Sequence, residues 1–318
     1  SLIPPDVFSY TLGYHTNDSK SITGTGEGTI NFGLFNGNIA AMKTAITTSA
    51  TSPELVPATS LYRYDNVNRL RESNTTGSAV NTSFSSSYHY DLDGNFRPNE
   101  VGITRNLDMA TYDNLNYTYG DYNNQLETVT DNAGISLTDN RDMIGTTLYE
   151  YHEDGSLKTE TSTGSKKIVT WNAQGKVAEV MKSNDGVMFN NKVTYNYDGL
   201  GNRVTKITRN STDGGVTWSV PEYTFYARDA QGNITGIYGQ GAQGTSTLNE
   251  IVMYGSSRLG VIKVSDQDAS YHKNVGGTRL YELTNHLGNV MTTITDRRVF
   301  NPSLQGYTAE VISATDYE

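Results

Sequence analysis

One short unit recurs along this chain, and a recurring unit constrains a fold more than any other feature a sequence can carry. It consists of two aromatics bracketing one residue, then usually Asp, a polar turn with Gly or Asn, and an aliphatic residue. Clear copies are Tyr62-Arg63-Tyr64-Asp65-Asn66-Val67-Asn68-Arg69-Leu70, Tyr88-His89-Tyr90-Asp91-Leu92-Asp93-Gly94-Asn95-Phe96 and Tyr149-Glu150-Tyr151-His152-Glu153-Asp154-Gly155-Ser156-Leu157. The fullest is Tyr195-Asn196-Tyr197-Asp198-Gly199-Leu200-Gly201-Asn202-Arg203-Val204. Weaker copies start at Tyr117, Trp171, Tyr226 and Tyr281, and a degenerate one runs from Met253 to Gly260.

In the fullest copy Val193, Tyr195 and Tyr197 share one parity, while Lys192, Thr194 and Asn196 share the other. That is the period of a strand with one buried and one wet face, so the Tyr195 and Tyr197 rings are expected to be buried between neighbouring hairpins. Asp198-Gly199 and Gly201-Asn202 supply residues that tolerate positive φ for a tight reversal, and Val204 and Ile207 belong to the returning strand. A lone hairpin is marginal in water, so the units must stack side by side. The expected fold is all-β, an array of β-hairpins in one spiralling sheet strip. It reads as one array over residues 1–318, with a less regular lead-in over 1–60 and recognisable repeats over 61–318. Ile39 to Ala50 is the one stretch with a claim to a helical turn or two, and its Thr content weakens that claim. Thr23 to Gly37 and Gly239 to Thr247 read as Gly-rich loops or strand connections.

Composition agrees. The chain holds 22 Tyr and 31 Gly, with 18% charged residues and a mean hydropathy of −0.53, a polar mixture of strand and turn formers. Its net charge of −10 repels polyanions, and Lys166-Lys167 and Arg297-Arg298 are only pairs, so no nucleic-acid partner is expected. With no Cys, disulfides and thiolate chemistry are excluded. No apolar stretch approaches the roughly 20 residues of a membrane-spanning helix. Ser1-Leu2-Ile3-Pro4-Pro5 lacks the charged and apolar regions of a signal peptide. An export signal is therefore expected upstream of this chain.

Constellations that could carry chemistry are better explained by the repeat. Asp91-Leu92-Asp93-Gly94-Asn95 with Glu100 has the acidic density of a calcium loop, but its glycine comes too early for the EF-hand pattern. His15, His89, His152, His272 and His286 never take metal-ligand spacing. Gly24-Thr25-Gly26-Glu27-Gly28 lacks the following helix of a phosphate cradle. Gly255-Ser256-Ser257-Arg258-Leu259-Gly260 has Leu259 where a nucleophile elbow needs its second glycine. Acidic pairs facing across a groove could serve a glycosidase, yet most Asp residues fall at the turn position of the repeat. The expectation is no catalytic, metal or cofactor-binding residue, and no enzyme.

The units resemble the tyrosine-aspartate (YD) repeats of bacterial Rhs proteins and of the related animal teneurins. The likeness is most detailed in Tyr226-Ala227-Arg228-Asp229-Ala230-Gln231-Gly232-Asn233, then Arg258-Leu259-Gly260, then Asn285-His286-Leu287-Gly288-Asn289-Val290, with Asn36-Gly37-Asn38-Ile39-Ala40 as a further shared element. It covers roughly residues 30–318. The resemblance implies a strip that spirals into a hollow cocoon around a variable C-terminal domain, commonly a toxin, in a secreted or cell-surface protein. It also implies that the chain stops just ahead of the Rhs-associated core. No residue matches the aspartates by which several members release their cargo. The implied partners are the rest of the same polypeptide, meaning core plug and cargo, and secretion machinery or a cell-surface partner. An adhesion module that binds glycans or proteins, as in teneurins, is the alternative.

Overall fold

The computed structural model of the chain describes residues 7–15, 34–47, 55–77, 83–108, 110–133, 143–240, 244–264, 276–301 and 305–315. The regular structure among them is entirely β. The first strands are β1 (Phe8–Gly13), β2 (Ala41–Thr47), β3 (Leu55–Tyr64), β4 (Leu70–Thr76), β5 (Phe84–Tyr88), β6 (Val101–Leu107) and β7 (Ala110–Tyr119). The middle of the chain forms β8 (Leu126–Asp131), β9 (Thr146–Tyr151), β10 (Leu157–Ser162), β11 (Ser165–Trp171), β12 (Val177–Ser183), β13 (Phe189–Tyr197) and β14 (Arg203–Asn210). The last are β15 (Glu222–Arg228), β16 (Ile234–Gln240), β17 (Ser246–Tyr254), β18 (Arg258–Lys263), β19 (Arg279–Thr284), β20 (Val290–Asn301) and β21 (Gly306–Ala314).

Each strand pairs antiparallel with the next in chain order, so these 21 strands form one unclosed meander with β1 and β21 at its edges. This topology sorts the connections. Every odd-to-even connection lies on one rim of the strip and every even-to-odd connection on the other. All the tyrosine-aspartate turns are of the first kind, so they line a single rim.

The strip is a single layer, which limits burial. Its largest fully buried side chains are Met291, Thr292, Asp113 and Ser183. One apolar cluster, Ile103, Leu115, Tyr117 and Val129, sits in β6–β8 with Tyr88, Phe96 and Tyr149 packed against it. Elsewhere residues are mostly half-buried, and Tyr195 and Tyr197 are among them, not fully buried as expected. With no second sheet above it, the Tyr195 ring is covered by the Arg203 guanidinium at 4.1 Å.

Strict period-2 alternation also breaks at one recurrent place. The register shifts just before the last residue of the outgoing strand, at Tyr64, Tyr119, Trp171, Tyr197, Arg228, Tyr254 and Thr284. Such bulges bend a strand and increase its twist. Repeated on one rim, they curl the strip until β2 and β21 approach within 8 Å between Cα atoms. At ~4.8 Å per strand step, β2 to β21 covers about 90 Å, the circumference of a circle about 29 Å across.

Two local expectations are corrected. Within Ile39 to Ala50, Ala41–Thr47 is strand β2, paired on both sides. Met42, Thr44 and Ile46 are buried while Lys43 and Ala45 are less so, a period-2 pattern that overrides the helix propensity of its alanines. Within Gly239 to Thr247, Gly239 and Gln240 ladder with Thr247 and Ser246, because a glycine without a side chain still carries both ladder groups. Gly24-Thr25-Gly26-Glu27-Gly28 lies outside the described residues.

Candidate functional site: the repeat rim

Six of the repeat turns are built on the side chain that opens them. Asp198 Oδ1 accepts hydrogen bonds from the N–H groups of Leu200 and Asn202, at 2.9 and 2.8 Å, while the Asp198 N–H donates to the Asn202 carbonyl at 2.9 Å. Asp65, Asp91 and Asp229 repeat this arrangement, and Asn172 and Asn285 substitute their amide oxygens. The fourth residue carries the positive φ, +66° at Asn68 and +81° at Gly201. Gly199 and Asp198 keep ordinary backbone angles, contrary to expectation, since the carboxylate itself folds the turn. Two turns on the opposite rim use a related device. Asp185 accepts from the N–H groups of Val187 and Met188, and Asp213 from the Ser211 and Thr217 hydroxyls.

Satisfied carboxylates resist protonation. The Asn202 backbone N–H holds Asp198 below the ordinary carboxylate range, and the Asn233 side-chain amide does the same for Asp229. The Thr217 hydroxyl leads the groups that bring Asp213 down to about 2.

In five units a tyrosine at the end of the outgoing strand ties its hairpin to the one before. The hydroxyls of Tyr64, Tyr90, Tyr151, Tyr197 and Tyr254 donate to the carbonyls of Ile39, Leu70, Leu126, Val177 and Ile234, at 2.8 to 3.0 Å. The Trp171 indole N–H reaches Leu157 and the Arg228 guanidinium reaches Arg203 in the same way. Except at Ile39 and Leu126, the acceptor is the fifth residue after the one that opens the preceding turn. The lead-in joins the scheme through Tyr64 and Ile39. Tips also link laterally: Arg69 donates to the Asp91 carbonyl, Asn95 to Asn124, and Asn36 and Asn38 to Asn68.

Some of the groups considered for chemistry are engaged in this way. Asp91, the head of the imagined calcium loop, spends Oδ1 on the N–H groups of Asp93 and Asn95, and Glu100 pairs with Arg97 at 3.0 Å. Among the described residues no three His, Asp or Glu side chains group to hold a metal. His15 stacks on Phe35, His152 opens a turn, His286 lies beside Tyr10, and His89 buries Nδ1. His272 lies outside the described residues. Gly260 has φ +148°, and a Cβ there would meet the Leu280 carbonyl at 1.9 Å, so this glycine serves the close approach of β19. A shallow cavity of about 370 Å³ beside β4 and β5 is lined by Asn74, Thr75, Ser83, Phe84 and Asn106, none of them ionisable.

What the rim does offer is contact. Phe35, Val67, Leu92 and Tyr122, on four consecutive repeat-rim turns, are exposed, and Leu200 and Leu287 extend the series beyond a polar interval.

Comparison with known proteins sets this geometry in context. No family model matches the chain, and no curated protein does. Solved structures are similar to it, among them the following three. A Photorhabdus luminescens Tc holotoxin pore carrying a TccC3 mutation aligns at TM-score 0.43 and 14% identity, over 82% of this chain and 15% of that one. A TcdB2-TccC3-TEV crystal structure aligns at 0.30 and 13%, over 87% and 18%. A porin-like protein from Bacteroides uniformis aligns at 0.27 and 12%, over 86% and 94%. The chain thus spans less than a fifth of the toxin chains.

One polar site was not foreseen. Asp113 on β7 is completely buried and pairs with Arg105 at 3.1 Å, while its Oδ1 has no hydrogen-bond partner. Burial pushes its carboxyl up against the opposing pull of Arg105. The clue lies in the sequence, where Asp113 shares parity with Leu115 and Tyr117, but the depth of β7 does not.

Proposed function

We propose that this chain is a length of structural wall in an exported Rhs-type protein, which encloses or presents a C-terminal cargo domain and performs no catalysis itself. One observation carries the reading: the turn-opening carboxylates and the tethering tyrosine hydroxyls are spent on holding hairpins to themselves and to their neighbours. What remains is a curved, single-layer strip whose two rims and two faces are its only features. A wall of this kind needs no ligand, and its partners are the core plug and cargo of its own polypeptide, with secretion machinery handling export to the exterior or the cell surface. Limited proteolysis of the complete polypeptide tests this. A protease-resistant C-terminal fragment is expected, and a C-terminal domain cut as fast as when it is expressed alone would sink the proposal.

The exposed Phe35, Val67, Leu92 and Tyr122 favour a second reading, adhesion to a glycan or protein partner. Exposed apolar series of this kind mark interaction surfaces. It requires the array to bind cells or glycans and Leu92→Ser with Tyr122→Ser to abolish that binding. A screen without hits leaves only the wall.

A further inference from the structure

The two ends of the strip meet, and they meet without a ladder. Tyr10 on β1 stands against His286 in the β19–β20 turn, with ring centroids 6.1 Å apart at 40°. β2 approaches β21 closely, yet β1 pairs with β2 and β21 with β20, and among the described residues no backbone pairing crosses between the ends. The turn that carries His286 is rigid, because Asn285 Oδ1 accepts from both Leu287 and Asn289. In β20, just after this turn, Met291 and Thr292 are 1% and 0% exposed, and the Thr292 hydroxyl is buried with no hydrogen-bond partner. An orphaned hydroxyl marks packing that water would complete.

We propose that this junction is a seam that opens and recloses as a unit while the ladders on either side stay intact. Among the described strands opening breaks no ladder, whereas parting any other neighbours in the strip sacrifices a row of backbone hydrogen bonds. The seam is thus the unladdered junction of the described strands, latched by Tyr10 on His286. The inference concerns the strip alone and holds whether or not anything is enclosed.

The chain has no cysteine, so Ser9→Cys with Leu287→Cys places two unique spin labels beside the seam and leaves the ring pair in place. Pulsed dipolar spectroscopy should find a short distance together with a longer one, and low urea should shift weight to the longer one while the far-UV circular dichroism of the sheet is unchanged. Adding Tyr10→Ala should raise the long population about two- to tenfold, the worth of one aromatic contact. Labels at Val67→Cys and Leu92→Cys, across laddered hairpins, should stay short until the sheet itself melts. A single short distance that persists until the dichroism collapses overturns the proposal, as does the absence of any short distance. An unchanged ratio in the Tyr10→Ala variant overturns the latch.

Discussion

At the scale of single residues, the repeat separates two jobs that its sequence runs together. The aspartate folds its own turn and the tyrosine joins that turn's strand to the preceding hairpin. Tyr197→Phe removes one hydroxyl bond to Val177 and should cost about 0.5–1.5 kcal/mol, while Asn196→Ala, exposed between the two rings, should leave the urea midpoint unchanged. Equal losses at both would show that the tether is unimportant. Asp198 makes a prediction about acid. Its folded pKa lies below the ordinary 3.8, so its contribution is complete above that value and fades as pH falls below it toward the folded value. Asn172 and Asn285 already cap the same turn. Asp198→Asn should therefore fold as the parent does at pH 7 and lose less stability than the parent between pH 4 and pH 2, whereas Asp198→Ala should be weakened at both ends. Urea denaturation across that range reads the difference.

At the scale of the hairpin, the position of each glycine matters more than its presence. Gly201 holds φ +81°, and a Cβ there would meet the Lys176 side chain at 3.3 Å, while Gly199 has an ordinary angle and open space around it. Gly201→Ala should cost about 1–2 kcal/mol for the left-handed backbone; Gly199→Ala should stay within about 0.5 kcal/mol of the parent. A thermal melt of both variants decides, and a reversed order would contradict the turn geometry. The bulge before each closing aromatic belongs to this scale too. It turns a flat pairing into a curved one, and alternation in the sequence carries no trace of it, because a bulge inserts its extra residue into an otherwise regular pattern.

For the whole molecule, stability is a sum over neighbours, since each described strand ladders only with the strands beside it in the chain. The densest burial is in β6–β8, around Ile103, Leu115, Tyr117 and Val129, with the buried Asp113 close by. Native-state hydrogen exchange should be slowest there and fastest in β1 and β21, which have a ladder on one side only. Uniform protection along the strip would instead mean that the array melts as one unit.

The hairpin array and the position of nearly every repeat turn were legible in the residues themselves, because Tyr-x-Tyr-Asp followed by Gly or Asn is local chemistry: parity sets the strand, and turn formers set its end; the turns of the opposite rim carry no such signature. The same locality explains what could not be read. Half-burial of Tyr195 depends on there being no second layer, the buried Asp113–Arg105 pair depends on how deep β7 lies, and the β2 strand depends on neighbours that override its helix-favouring alanines. The sequence by itself thus determined an all-β strip of hairpins and the places of its repeat turns. Only the tertiary structure decided that small bends, repeated at the same place in successive hairpins, add up until Tyr10 meets His286, because curvature accumulates over many strands while each sequence signal spans only one hairpin.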